Sequence, residues 1–389
     1  MTPRSWRSRF CARAPRSSGR AAPRPGSVPE PGSGSVEDRL ADHTTLRLGG
    51  PARSWVTATS EAELVAAVSE ADAAGEPVLV LGGGSNLVVA DEGFAGTVVA
   101  VATTGITADV DDEDEPGCGG ALVRVAAGEA WDDVVATAVR RGWVGLEALS
   151  GIPGSTGATP IQNVGAYGQE VAQTIARVRV WDRHEREVRT IAAADCAFAY
   201  RHSRFKAEPG RHLVLDVTFQ LRRGTLSAPV GYAELARTLG VAVGERAPLA
   251  EVRSAVLGLR AGKGMVLDPA DHDTWSAGSF FTNPIISPDL VPQGAPSWPQ
   301  EDGRGLVKTS AAWLIEHAGY GKGYVVPGEV AGGAAARASL STKHTLAVTN
   351  RGGATTEDLL SLARAVRDGV EAAYGIRLVE EPVLVGCEL

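Results

Sequence analysis

Aromatic residues make up 5% of the 389-residue chain, and Cys and Met are scarce at four and two copies. Cys11, Cys118, Cys196 and Cys387 stand far apart and form no Cys-x-x-Cys pair. That excludes the common zinc and iron–sulfur signatures and points to reduced, unpaired thiols in a cytosolic protein. No apolar run approaches the length of a membrane span. The N-terminus carries Arg but no hydrophobic stretch of the secretory kind, so a cytoplasmic location and no membrane partner are expected. A formal net charge of −8 argues against nucleic acid as a partner. There is no internal repeat.

Three hundred and eighty-nine residues suffice for two or three domains. Residues 1–37 are rich in Arg, Pro, Gly and Ser without apolar periodicity, and are expected to be a disordered tail. From residue 38 the pattern reads as α+β. Ser60 and Glu63 make a capping box for a helix over about 60–74, with Leu64, Val68 and Ala71 as its stripe and Gly75 as its stop. Strands are expected at 77–81, 87–89, 98–101, 122–126, 177–181, 188–191 and 213–221. A helix is expected at 131–141. The acidic stretch 109–116 reads as a solvated loop tip. Beyond about 223 the pattern turns helical, at 232–239, 249–259, 309–317 and after Thr355. A closing strand is expected over 377–385. The division expected is therefore a tail, a first domain over 38–223 and a second over 224–389.

Two glycine-rich segments stand out. Gly82-Gly83-Gly84-Ser85-Asn86 follows the strand 77–81 directly. Such a loop can turn several backbone N–H groups inward and hold a diphosphate without a Lys. It is neither a P-loop nor a dinucleotide fingerprint, because both the Gly-Lys-Ser/Thr ending and the G-x-G-x-x-G spacing are missing; an ordinary tight turn stays open. The second runs from Ile152 to Gly168. A segment this long without an apolar face is a binding loop more often than a passive connector. Its Gly154, Gly157 and Gly165 let main chain approach a ligand. Ser155, Thr159, Gln162 and Asn163 can satisfy ligand atoms, and Tyr167 stands just before its end.

These segments, followed in order by Tyr200-Arg201-His202-Ser203-Arg204-Phe205-Lys206, Gly278-Ser279-Phe280-Phe281-Thr282-Asn283-Pro284, Ala311–Glu316 and Glu381, resemble the UDP-N-acetylenolpyruvoylglucosamine reductase family over about residues 40–389. The resemblance implies an FAD-binding domain of the vanillyl-alcohol-oxidase (PCMH) type followed by an α+β substrate-binding domain. It implies noncovalent FAD, NADPH as hydride donor, and reduction of the enolpyruvyl ether of UDP-N-acetylenolpyruvoylglucosamine for peptidoglycan synthesis. It assigns Arg201 to the developing enolate, Ser279 to proton donation and Glu381 to catalysis. Gly82–Asn86, Gly154, Ser155, Gly157, Thr159, Gly165, Tyr167 and Arg260 are assigned to the flavin, and Lys263, Asn283 and Glu316 to the substrate. One branch of the family clamps substrate with a Tyr in the loop after Phe-Lys; residues 205–210 contain none. Glu380 stands where the family usually has Pro, and strand alternation sets it opposite Glu381. Two other readings remain at this point: an oxidase on the same fold, and a silent nucleotide-binding module.

Overall fold

The computed structural model describes residues 38–110, 120–300, 303–327 and 336–389. The tail expected over 1–37, most of the acidic loop tip, Cys11 and Cys118 lie outside the described residues. The chain opens with β1 (Ala52–Ala58), α1 (Glu61–Ala74), β2 (Val78–Leu81), β3 (Leu87–Val89) and β4 (Phe94–Val101). β1, β4 and β2 form a parallel sheet in that order. Ser60 Oγ accepts from Glu63 N at 3.2 Å, and the Glu63 carboxylate accepts from Ser60 N. This capping box offsets about 1 kcal/mol of orphaned backbone polarity, and Gly75 leaves the helix at φ 68°. The buried stripe is Leu64, Val68 and Ala71, as the 3.6-residue spacing predicts.

Next come β5 (Ile106–Val110), β6 (Gly120–Ala126), α2 (Trp131–Arg140), β7 (Trp143–Val144), β8 (Gly165–Ala166), β9 (Gln169–Glu170), β10 (Ile175–Asp182), β11 (Glu187–Ala192), α3 (Arg204–Ala207) and β12 (His212–Arg223). An antiparallel sheet runs β11-β10-β12-β6-β5, with β7 on the far end of β12. Trp131, Val134, Val135 and Ala138 of α2 pack on it with Val178, Val217 and Phe219. Leu213 and Leu215 of β12 share a second core with Leu64 and Val68 of α1. β12 is therefore apolar on both faces.

The remainder comprises α4 (Ala233–Leu239), α5 (Leu249–Gly262), β13 (Ile285–Ile286), β14 (Ser297–Pro299), β15 (Val307–Thr309), α6 (Ala311–His317), β16 (Ala338–Leu340), β17 (Val348–Asn350), α7 (Thr356–Tyr374) and β18 (Val383–Val385). Their main core holds Phe280, Phe281, Leu314, Leu359 and Val366. Leu46, Leu48 and Val88 from the start of the chain belong to the same core. The described residues, from 38 on, form part of one compact unit.

Several elements run longer than expected, β4 starting at Phe94 and α5 reaching Gly262, and two other boundaries differ near the site. The helix expected from 309 begins at Ala311, because Thr309 ends β15 and Ser310 caps the helix through its side chain. The closing strand expected over 377–385 pairs as a strand only over Val383–Val385, parallel to β3. Pro382 has no N–H to donate, so the ladder cannot run through it. Upstream, the extended chain changes partner: Glu381 N donates to Phe280 O at 2.8 Å and Thr282 N to Val379 O at 3.0 Å.

Candidate active site

Arg201 sits on a tight turn. Ala199 and His202 exchange both backbone hydrogen bonds at 3.1 Å, leaving Tyr200 and Arg201 as the corners. Arg201 adopts φ 51°, a left-handed conformation that costs a non-glycine residue about 1–2 kcal/mol. The turn is held from several sides. Asn163, itself buried, donates from Nδ2 to Ala199 O at 3.1 Å. Lys206 Nζ donates to Arg201 O at 3.2 Å and to Gln162 Oε1 at 3.0 Å. The Arg201 guanidinium then reaches Gly165 O at 3.2 Å and places Nε 2.7 Å from Glu381 Oε1. That second approach is a charge contact rather than an aligned hydrogen bond, since Nε is buried with its N–H aimed at no acceptor.

The partner change at Pro382 delivers Glu381 here. The Glu381 side chain is 15% exposed and that of Arg201 22%. Burial raises the Glu381 carboxyl above its ordinary pKa, while Arg201 and Lys206 oppose that rise. Asn86 Nδ2 donates to the Glu381 carbonyl at 3.3 Å, tying the glycine loop to the same point. Ser279 immediately precedes Phe280, whose carbonyl binds Glu381 N. Its half-buried hydroxyl has no hydrogen-bond partner among the described residues. Asn283 N donates to Tyr200 Oη at 3.4 Å, and Asn283 Oδ1 accepts from Ala311 N at 3.0 Å.

The two glycine segments meet main chain to main chain. A Cβ on Gly83 would stand 2.6 Å from Gly154 Cα, and one on Gly82 would strike Ser155 Oγ. Ser85 Oγ donates to Pro153 O at 3.1 Å. The backbone N–H groups of Gly83, Gly84, Ser85 and Gly154 donate to nothing among the described residues. Free donors beside a glycine-lined approach fit the diphosphate of FAD. Arg260 adds a buried cation at the start of the second segment. It is 9% exposed, burial depresses its pKa to about 10, and its Nε has no partner.

Other members of the second segment point inward. Thr159 is buried and its hydroxyl donates to Thr156 O at 2.8 Å. Gly157 is closed in by Ala127, 2.6 Å from where a Cβ would stand. Asn163 and Gln162, read from the sequence as able to satisfy ligand atoms, spend their hydrogen bonds on Glu170, Ala199, Ala172 and Lys206. A polar residue in a glycine loop looks the same from the sequence whether it serves a ligand or the loop.

Tyr167 and Gly168, at φ 50° and 84°, turn the β8–β9 hairpin and aim Tyr167 at a second cluster. Tyr167 meets Tyr232 edge-on at 5.5 Å, and Lys263 Nζ lies 5.6 Å from the Tyr167 ring centre and 2.6 Å from Glu234 Oε2. Glu316 is exposed and accepts from Thr345 Oγ1 at 3.1 Å. Between these charges lies His344, pushed down to about 4 by burial, with Lys263 and Lys322 adding to the shift. Arg201, Glu381, Gly165 and Asn86 thus converge at one centre, and Tyr167, Lys263 and Arg260 at its neighbour. Lys308 belongs to the first centre without having been singled out in the sequence: its Nζ stands 4.4 Å from the Tyr200 ring centre. Only the pairing of β15 beside Tyr200 reveals it, and a lone Lys in a short strand gives no signal.

The geometry is matched by known proteins. A profile of the UDP-N-acetylenolpyruvoylglucosamine reductase C-terminal domain matches residues 268–385, and one of an FAD binding domain matches residues 52–191. A UDP-N-acetylenolpyruvoylglucosamine reductase of Cutibacterium acnes is 61% identical over 357 residues, covering 92% of each chain. The chain belongs to the UDP-N-acetylenolpyruvoylglucosamine reductase family. The family's Streptomyces avermitilis member is 57% identical, over 90% of this chain and 94% of its own. The crystal structure of the reductase (MurB) from Thermus caldophilus superposes with a TM-score of 0.59 at 26% identity, covering 90% of this chain and 98% of that one. The fold is the α+β, vanillyl-alcohol-oxidase-type FAD-binding architecture of that family.

Proposed function

We propose that this enzyme reduces UDP-N-acetylenolpyruvoylglucosamine to UDP-N-acetylmuramate, with FAD as cofactor and NADPH as reductant, in peptidoglycan precursor synthesis. The observation that carries the reading is the convergence of Arg201, Glu381 and the segment starting at Ser279 beside two glycine loops with free N–H groups, in a chain 61% identical to a reductase of that name. FAD held here and reduced by NADPH would supply hydride for the terminal vinyl carbon of the enolpyruvyl ether. The chain's own groups do the rest. Gly83, Gly84, Ser85 and Gly154 offer N–H donors to the diphosphate, with Gly82, Asn86, Ser155, Gly157, Thr159 and Gly165 shaping the cradle and Arg260 and Tyr167 bordering it. Arg201 stands against negative charge that develops next to the substrate carboxylate, where a planar fork suits a carboxylate or enolate. Ser279 supplies the proton to the carboxylate-bearing carbon, the neighbour of the one that receives the hydride. Glu381 balances the charge of Arg201 and keeps it oriented in a largely buried position. Lys263, Asn283 and Glu316 hold the nucleotide-sugar portion.

Residues 38–223 form the flavin-binding part and 224–389 the substrate part in this reading. No described helix is long and apolar enough to cross a membrane; in this reading the enzyme works in the cytoplasm, where its nucleotide substrates are held. The test is product identification. Enzyme incubated with NADPH and the enolpyruvyl nucleotide should convert it to a species two mass units heavier that carries a lactyl ether. Consumption of NADPH without that product would refute the assignment.

A further inference from the structure

We propose that Lys206 is a positioning residue that fixes the Arg201 turn and sets the charge balance of the Arg201–Glu381 pair. The proposal rests on the functional reading of those two residues. Its basis is local. Ser203 caps the one-turn helix α3, accepting from Lys206 N at 3.3 Å and donating to Ile161 O at 2.6 Å. That geometry drives Phe205 into the main core of the antiparallel sheet and turns Lys206 toward the opposite side, where Gln162 and Arg201 O receive its ammonium. No carboxylate lies within ion-pair distance of Lys206 Nζ among the described residues.

A half-buried ammonium bound to two neutral acceptors is an unusual expense of solvation, since Lys is strongly hydrated. Burial does lower its pKa, and the Glu381 and Glu380 charges oppose that. The compensating gain lies in what it holds. The Arg201 carbonyl belongs to a residue in a costly left-handed conformation, which persists only where neighbours over-determine it. Lys206 is one such neighbour, and Asn163, bonded to Ala199 O, is another. Lys206 is also the second cation felt by Glu381. The charged and titratable groups around that carboxyl are Arg201 and Lys206, with Tyr200, Glu380 and, beyond Arg201, Lys308. Removing Lys206 leaves Arg201 as the one cation close to Glu381 among the described residues, so the protonated form of Glu381 must persist to higher pH.

The experiment uses FAD-loaded enzyme and Lys206→Met, which keeps the stem and removes the charge. Two things are read: the stopped-flow rates of the NADPH and substrate steps, and the infrared titration of the Glu381 carboxyl, identified by its loss in Glu381→Gln. The expected result is a near-normal NADPH step and a substrate step slowed about a hundredfold, the scale of a small misplacement of a reacting group. The Glu381 titration should move to higher pH, and Lys206→Arg should return it toward wild type. If Lys206→Met does not fold, Lys206→Gln carries the same expectation. A Glu381 titration that coincides with wild type in the neutral variant, or equal slowing of both steps, overturns the proposal. Wild-type enzyme that fails to turn over the enolpyruvyl nucleotide overturns the functional reading instead, and the infrared titration still decides the role of Lys206.

Discussion

Replacing Ser279 by Ala removes one oxygen from a half-buried position that has no hydrogen-bond partner among the described residues. Nothing in the fold loses a bond, so stability should change by less than about 0.5 kcal/mol. The backbone at this point is held independently, through Phe280 O and Glu381 N at 2.8 Å and through burial of Phe280 and Phe281. The catalytic consequence is of another size. General acid catalysis contributes about two to four orders of magnitude, and at 1.36 kcal/mol per decade that is about 3–5 kcal/mol of barrier. The loss should fall on one half-reaction. Hydride transfer from NADPH to the flavin needs no proton from a serine, whereas reduction of the enolpyruvyl ether leaves a carbanion-like centre that does. Rapid-mixing absorbance of a single sample measures both: flavin bleaching by NADPH should stay near normal, and recolouring by substrate should slow by at least about a hundredfold. Ser279→Cys, which retains an ionisable proton, should lose less. Equal slowing of both steps would mean that Ser279 positions cofactor or ligand. No change in either would make it a plain turn residue and refute the proton-donor role.

Glu381→Gln should reduce turnover about a hundredfold or more, and Glu380→Gln far less, because only the Glu381 carboxylate contacts Arg201; comparable losses in steady-state assays would reverse the assignment. Gly83→Ala should weaken FAD binding and destabilise the protein by about 1–3 kcal/mol, since the new methyl would meet the Gly154 main chain; denaturant titration and flavin fluorescence check both. Gly258→Ala, at an exposed position of α5 with open space around it, should instead stabilise by about 0.5–1 kcal/mol, and a loss in the same titration would contradict the helix-propensity argument. Acid precipitation should release all the yellow colour, as noncovalent FAD requires; colour kept on the pellet would show a covalent tether.

Local rules carried far into this fold. The capping box at Ser60, the left-handed exit at Gly75 and the stripe of α1 depend on residues within a few positions of each other, so the sequence displays them directly. Pro382 shows where such rules stop. Alternation distinguishes Glu380 from Glu381, and it is Glu381 that contacts Arg201, but the change of strand partner at the proline depends on Phe280 and Leu87 lying close by, which spacing does not encode. The candidate site is still less local. Arg201 and Glu381 are drawn together from distant parts of the chain, and only family resemblance named them in advance. Asn163 and Gln162 were legible as polar loop residues but not as struts of the Arg201 turn. Lys206 gives no signal within the Tyr200–Lys206 stretch, because its significance arises from a backbone carbonyl that has no identity in the sequence.

The most direct test of the central claim is anaerobic absorbance of the purified, FAD-loaded enzyme at the flavin band. NADPH is added first and the enolpyruvyl nucleotide second. The account predicts bleaching on the first addition and full return of colour on the second, with one equivalent of UDP-N-acetylmuramate formed per flavin. Bleaching that the nucleotide fails to reverse would contradict it.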